Sequence, residues 1–144
     1  MIDIVVRSIV EGEISEIARI KLSAQRVSMP YKKFTRSFED ECDYLQKTLE
    51  RCAIEVAVAS GRIVGFAAFG NGWLEQMFVD PDHYNQGIGT ALLDQIRNAS
   101  NHMKALVDLQ NEYAIRFYES RGFVRQEKLI DTDAIVYEWT SDAK

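Results

Sequence analysis

"DPDHYNQGIGTALLDQI", residues 80–96, sets a helix behind two glycines. Glycine costs a helix roughly 1 kcal/mol relative to alanine, so Gly87 and Gly89 at its start need a compensating reason. The residues from Ile88 onward are helical by their spacing. Ile88, Ala91, Leu92, Gln95 and Ile96 fall at i, i+3, i+4, i+7 and i+8 and form one mostly apolar stripe, with Thr90, Asp94 and Arg97 opposite. A strand, a short loop, glycines and a helix N-terminus together can cradle a phosphate. First-turn N–H groups are unsatisfied there, the helix dipole favours an anion, and absent Cβ atoms let it approach the backbone. The alternative is a tight turn with no ligand. The GxGxxG and GxxxxGK[ST] patterns are both absent, so the stretch is neither a dinucleotide fingerprint nor a P-loop.

Upstream of this stretch the apolar period is that of strands. "AIEVAVA" (53–59), "RIVGFAAF" (62–69) and "WLEQMFV" (73–79), separated by turns at Ser60–Gly61 and Gly70–Gly72, read as an antiparallel meander. Further back, a strand over Ile2–Ile9 precedes a helix over about Glu13–Leu22, with Ile14, Ile17, Ala18 and Leu22 on one face. An irregular segment, Ala24–Arg36, leads to a second helix with Ser37 as N-cap, Asp40 in capping-box position, and Phe38, Cys42, Leu45 and Leu49 as its buried face. Downstream come a strand at "KALVDL", a helix from about Glu112 to Arg121 with Gly122 as its C′ residue, and strands at "FVRQEK" and "AIVYEWT". The order β-α-α-β-β-β-α-β-α-β-β predicts an α+β fold: a mixed, mainly antiparallel sheet with helices on both faces.

The 144 residues, 47% of them apolar, suit one domain with one continuous core. A net charge of -5, with 17 Lys and Arg scattered along the chain, argues against a nucleic-acid surface and suits a cationic partner. Cys42 and Cys52 lack CxxC spacing and a nearby His pair, so no metal is expected. The longest apolar run, "IVGFAAF", is too short for a membrane, and the first 20 residues have no apolar stretch of leader length, so a cytoplasmic protein is expected. Neither His83 nor His102 sits in a GxSxG or HExxH context, and neither is assigned catalysis.

"MFVDPDHYNQGIGTALL" followed by "NEYAIRFYESRGF" resembles the GNAT superfamily of N-acetyltransferases, strongly over Trp73–Phe123 and by element order alone before that. The resemblance implies that residues 1–144 form a single acetyltransferase domain with acetyl-CoA as cosubstrate. The family's pyrophosphate loop, Q/R-x-x-G-x-G/A, maps onto Tyr84, Asn85, Gln86, Gly87, Ile88 and Gly89, with Thr90 next in the helix; Tyr84 departs from the pattern. Met77, Phe78 and Val79 then correspond to the splayed strand end whose backbone binds the pantetheine arm and the thioester carbonyl. Such N–H groups stabilise a developing oxyanion by roughly 3 kcal/mol per donor.

On the later helix, Asn111, Ala114 and Tyr118 lie at i, i+3 and i+7, hence on one face, with the outer two roughly 10 Å apart along the axis. By residue type alone, Asn111 is an N-cap candidate and Tyr118 a core aromatic. The resemblance implies that Asn111 is a cofactor ligand and Tyr118 the general acid that protonates the leaving thiolate. A carboxylate, directly or through water, has to accept the amine's proton. Glu75, two residues before Met77 and expected on its sheet face unless a bulge shifts the parity, is one candidate; Glu55 and a water chain are the others. The expected reaction is direct transfer of an acetyl group to a primary amine of a small molecule or peptide, bound by Ala24–Arg36, including Tyr31 and Phe34, and by Trp73. Lys32, Lys33 and Arg36 could meet an acceptor carboxylate or the 3′-phosphate of CoA. The alternative is a non-catalytic CoA-binding or interaction module of the same fold. The apolar residues of Ala134–Thr140 could pair across a homodimer interface.

Overall fold

The computed structural model describes residues 2–128 and 133–141. The meander is as its alternation predicts: β2 (Ala53–Ala59), β3 (Arg62–Gly70) and β4 (Trp73–Val79) pair antiparallel in sequence order. Their apolar residues point both ways because both faces of the sheet are covered. On one face, Ile54, Val56, Phe66 and Ala68 pack with Ile17, Ala18 and Leu45 of α1 (Ile14–Ser28) and α2 (Phe38–Thr48). On the other, Ala57, Ala67 and Leu74 pack with Leu92, Leu93 and Ile96 of α3 (Ile88–Asn98) and Tyr118 of α4 (Glu112–Ser120). With β1 (Val5–Ser8), β5 (His102–Asp108), β6 (Val124–Lys128) and β7 (Ala134–Thr140), the sheet runs β1-β2-β3-β4-β5-β7-β6. All neighbours are antiparallel except β4 and β5, which are parallel.

Three details depart from the sequence reading. β1 is shorter than Ile2–Ile9. α1 continues past Leu22 to Ser28, because Lys21, Ala24 and Gln25 extend the buried face of Ile17 and Ala18 although two of them are polar. The buried face of α2 is Glu41, Leu45 and Thr48, with Phe38 exposed and Cys42 and Leu49 half-buried. The helix turns this way to bury an ion pair, Lys21 Nζ donating to Glu41 Oε2 at 2.8 Å. β7 lies between β5 and β6, so both of its backbone edges are used within the chain. Ser37 does cap α2, its Oγ accepting from Asp40 N–H.

The feature that positions the site is a split in the sheet. β4 and β5 share only the pairs Trp73↔Lys104 and Leu74↔Ala105. One residue later β4 bulges: Leu74 stands opposite Phe69 and Gln76 opposite Ala68, leaving Glu75 extra. A bulge bends the strand that carries it, and beyond this one Gln76–Val79 pair with β3 alone while β5 pairs with β7 alone. Along an antiparallel edge strand every second residue turns its N–H and C=O away from its partner. The inner edge of β4 therefore offers backbone hydrogen-bonding groups to the gap.

Candidate active site

Two clefts enter this gap and meet in it. The first, about 80 Å³, runs between the α3 loop and α4; the second, about 290 Å³, opens on the side of residues 25–34. Both are lined by Met77, Phe78, Asn111, Ala114 and Tyr118. Two of the three strand residues and all three face-sharing residues of α4 read from the sequence thus converge at one place, with Val79 lining the first cleft.

A 3₁₀ turn at Pro81–His83 leads from β4 to the glycine loop. Gly87 is the N-cap of α3 with φ +83°, the left-handed region that a side chain resists, and it supplies no capping oxygen. The first-turn N–H groups of this 11-residue helix consequently have no side-chain partner, and a Cβ on Gly87 would meet nothing within 4 Å. An anion has open space and free donors there. Gly89 has a different reason to be bare. A Cβ there would sit 3.1 Å from the Phe117 ring, so this glycine lets α3 and α4 approach. Gly89→Val is expected to cost about 1–3 kcal/mol by overpacking and to weaken any ligand held in the loop. Urea unfolding and calorimetric titration with acetyl-CoA read the two effects; an unchanged midpoint would refute the packing claim.

The remaining loop residues divide by role. Asn85 (φ +64°) and Gln86 are exposed, Ile88 is buried in the core, and Thr90 Oγ1 accepts from Arg121 Nε at 3.1 Å. Tyr84 stacks on Tyr113 of α4, ring centroids 5.5 Å apart and 19° between planes, walling the first cleft.

Asn111 caps α4: its Oδ1 accepts from Ala114 N–H at 3.1 Å. Its Nδ2 makes no hydrogen bond among the described residues, and the residue lines both clefts. Tyr118 is 8% exposed, held edge-on by Phe117 and Phe123 with ring centroids 5.3 and 5.1 Å away. Burial pushes its phenol well above the usual tyrosine range, so it stays protonated at neutral pH.

On the acceptor side the bulge decides the geometry. Met77 packs with the α3-side cluster, whereas Glu75 turns to Arg51 and to Cys52, which belongs to the opposite cluster, so the two do not share a face. Arg51 Nε and Nη2 donate to the Glu75 oxygens at 3.0 and 2.8 Å. These bonds hold the carboxyl below the usual glutamate range. Glu55 accepts from Ser8 Oγ on β1 and lines neither cleft. Phe34 lines the second cleft; Trp73, at the paired end of β4, lines neither. Tyr31 Oη and Lys32 Nζ donate to Asp108 at 2.9 and 3.0 Å, which ties the segment after α1 to the end of β5. Burial alone would raise Asp108, but bonds from Gln110 N–H, Lys32 and Tyr31 outweigh it and hold the carboxyl low; the Tyr31 phenol is pushed up to about 12 by burial and by Asp108. Sequence reasoning missed Asp108 and Gln76. Gln76 lines the second cleft, 8% exposed, with both amide atoms lacking a partner; a glutamine inside an otherwise apolar half-strand was the available signal.

The chain belongs to the GNAT acetyltransferases: the family model "Acetyltransferase (GNAT) domain" matches residues 50–125, just over half of its length. It is 36% identical over 64 residues to the peptidyl-lysine N-acetyltransferase YiaC of Escherichia coli, 44% of each chain, and 30% identical over 93 residues to the L-amino acid N-acyltransferase MnaT of the same organism, 54% of each. The matches thus span about half the length of these curated relatives. The fold is shared along its whole length with the PaiA N-acetyltransferase of Thermoplasma acidophilum in complex with coenzyme A (TM-score 0.83, 14% identity, 96% of this chain and 99% of that one). It is also shared with YncA of Salmonella typhimurium, solved with its cofactor acetyl-CoA (TM-score 0.72, 18% identity, 98% and 95%). Among the described residues no helix is long and apolar enough to cross a membrane.

Proposed function

We propose that the protein transfers an acetyl group from acetyl-CoA directly to a primary amine, both bound at once. The observation that carries this is the meeting of two clefts at Met77, Phe78, Asn111, Ala114 and Tyr118. One cleft leads from an uncapped, left-handed-glycine helix start suited to a pyrophosphate, the other from the opposite side of the sheet. Asn85–Thr90 would hold the pyrophosphate by backbone, and Asn111 Nδ2 and the β4 edge the pantetheine arm. Acetyl-CoA supplies the activated acetyl carbon. The amine nitrogen bonds to that carbon as the C–S bond breaks. Those Met77–Val79 backbone N–H groups that turn to the gap stabilise the charge that builds on the acetyl oxygen. Tyr118 Oη gives its proton to sulfur, the proton lost by nitrogen passes to water, and water returns one to the phenolate.

Water suits that last step better than Glu75, whose oxygens both accept from Arg51 and whose carboxyl is held low. A depressed carboxylate is ionised across neutral pH and a poor proton acceptor. The relatives' acceptors, peptidyl lysine for YiaC and L-amino acids for MnaT, are primary amines that fit the same chemistry.

The test is thiol release from acetyl-CoA over a panel of amines, with calorimetric binding of acetyl-CoA in the same sample. Release with at least one amine is expected, and kcat/KM should rise with pH toward the acceptor amine's own pKa, about 8–10, with no inflection from Glu75 above pH 5. Binding of acetyl-CoA without release for any amine would leave a CoA-binding module in place of an enzyme. A Glu75 inflection near neutrality would restore it as the base.

A further inference from the structure

Between Arg62 and Arg97 the chain carries no lysine or arginine, and that span holds the whole glycine loop and the first turns of α3. Asp80 and Asp82 lead into the loop and add negative charge. Tyr84 stands where the family's pattern has Gln or Arg, and its ring is stacked on Tyr113. Any cation that meets the cosubstrate's phosphates at this loop is therefore contributed by another element. Lys32, Lys33 and Arg36 surround a hollow whose wall includes no residue of the loop, of α3 or of α4.

Arg121 does reach the loop. It is the C-cap of α4, and its guanidinium lies over the Phe117 ring, 3.9 Å from the centroid. The same ring presses on Gly89, so packing fixes where the charge stands relative to the loop. Nη1 closes the end of α4, donating to the Phe117 carbonyl at 3.2 Å and to Ser120 Oγ at 2.7 Å. Nε and Nη2 turn the other way and donate to Thr90 Oγ1 in the first turn of α3. All of these acceptors are neutral, and Arg121 makes no ion pair among the described residues. Its charge thus stands at the positive end of a helix whose first turn holds no acidic side chain and whose N-cap supplies no oxygen. A cation in that place is unfavourable by itself. An anion seated against both removes the conflict, taking first-turn N–H groups on one side and a planar guanidinium on the other.

Resting on the reading of the glycine loop as the phosphate site, we propose that Arg121 is the cation this loop lacks. It binds a phosphate of coenzyme A and sets the preference for the nucleotide-bearing donor over a bare pantetheine thioester. The pyrophosphate and the 3′-phosphate present the same chemistry to a guanidinium, and dephospho-CoA, which lacks only the latter, tells them apart.

The experiment is an NMR titration of the unaltered protein and of Arg121→Gln with free CoA, dephospho-CoA and pantetheine. The substitution should weaken CoA at least about tenfold, the loss of a charge-assisted bond to phosphate, and leave pantetheine, which has no phosphate, unchanged. A loss seen with CoA alone assigns Arg121 to the 3′-phosphate; a loss shared by dephospho-CoA assigns it to the pyrophosphate. Equal CoA affinity in the two proteins overturns the proposal. A loss that extends equally to pantetheine also overturns it, and makes Arg121 a staple between α3 and α4. An unaltered protein that bound CoA no more tightly than pantetheine would remove the phosphate loop and Arg121 together, whereas equal CoA affinities with that preference intact remove Arg121 alone.

Discussion

Glu41→Ala is expected to destabilise the fold by about 3–5 kcal/mol, the range for removing one partner of a buried ion pair. Glu41 is 1% exposed and Lys21 5%. Lys21 Nζ donates to Glu41 at 2.8 Å and lies 4.6 Å from the Tyr44 ring centroid, while Arg36 Nη1 reaches the same carboxylate at 3.2 and 3.3 Å. Without Glu41 an ammonium is left between α1 and α2, where burial already pushes it below the usual lysine range. Replacing both partners, as in the double substitution Lys21→Met, Glu41→Ala, should recover most of the loss, because no uncompensated buried charge remains and the Arg36 left behind is exposed. Urea unfolding of the single and double variants measures this. A single-variant cost below about 1 kcal/mol would place the pair among solvated surface bridges.

Tyr118→Phe should lower kcat about 100-fold, within the range that a positioned general acid contributes, and change acetyl-CoA affinity little. The substitution keeps the ring that packs against Phe117 and Phe123 and removes only the hydroxyl, which makes no hydrogen bond among the described residues. Burial raises this phenol, so its proton moves late, once charge on sulfur has developed. Single-turnover kinetics with saturating acetyl-CoA separate the chemical step from binding. An unchanged kcat would make Tyr118 a wall of the cleft and nothing more.

The strands and helix starts were legible because their signals are local. Trp73–Val79 carries an apolar run between turn residues, and Ser37 and Asn111 are capping residue types where the apolar periods begin. The Asn111–Ala114–Tyr118 face was equally plain, since helical spacing alone puts these residues together. What escaped depended on partners distant in sequence. The bulge at Glu75 is a property of β4 against β3, and it reverses which side of the sheet Glu75 occupies relative to Met77. The buried face of α2 turns on Lys21, twenty residues before Glu41, so the expected stripe kept Leu45 buried but lost Phe38 to solvent. That Gly89, which lines the first cleft, also lets α3 approach α4 escaped because its neighbour Phe117 comes 28 residues later.

The two rungs joining Trp73 and Leu74 to Lys104 and Ala105 give the sheet a mechanical character. It consists of two leaves, β1–β4 and β5–β7, stitched by backbone at one end only and held elsewhere by side chains. A molecule lying in the open end acts as the missing stitch, donating and accepting where a strand would. A ligand bound there would stabilise the folded chain as a whole, by about 2.7 kcal/mol at a concentration 100 times Kd. The protein's cohesion across the open end would then follow the occupancy of that gap.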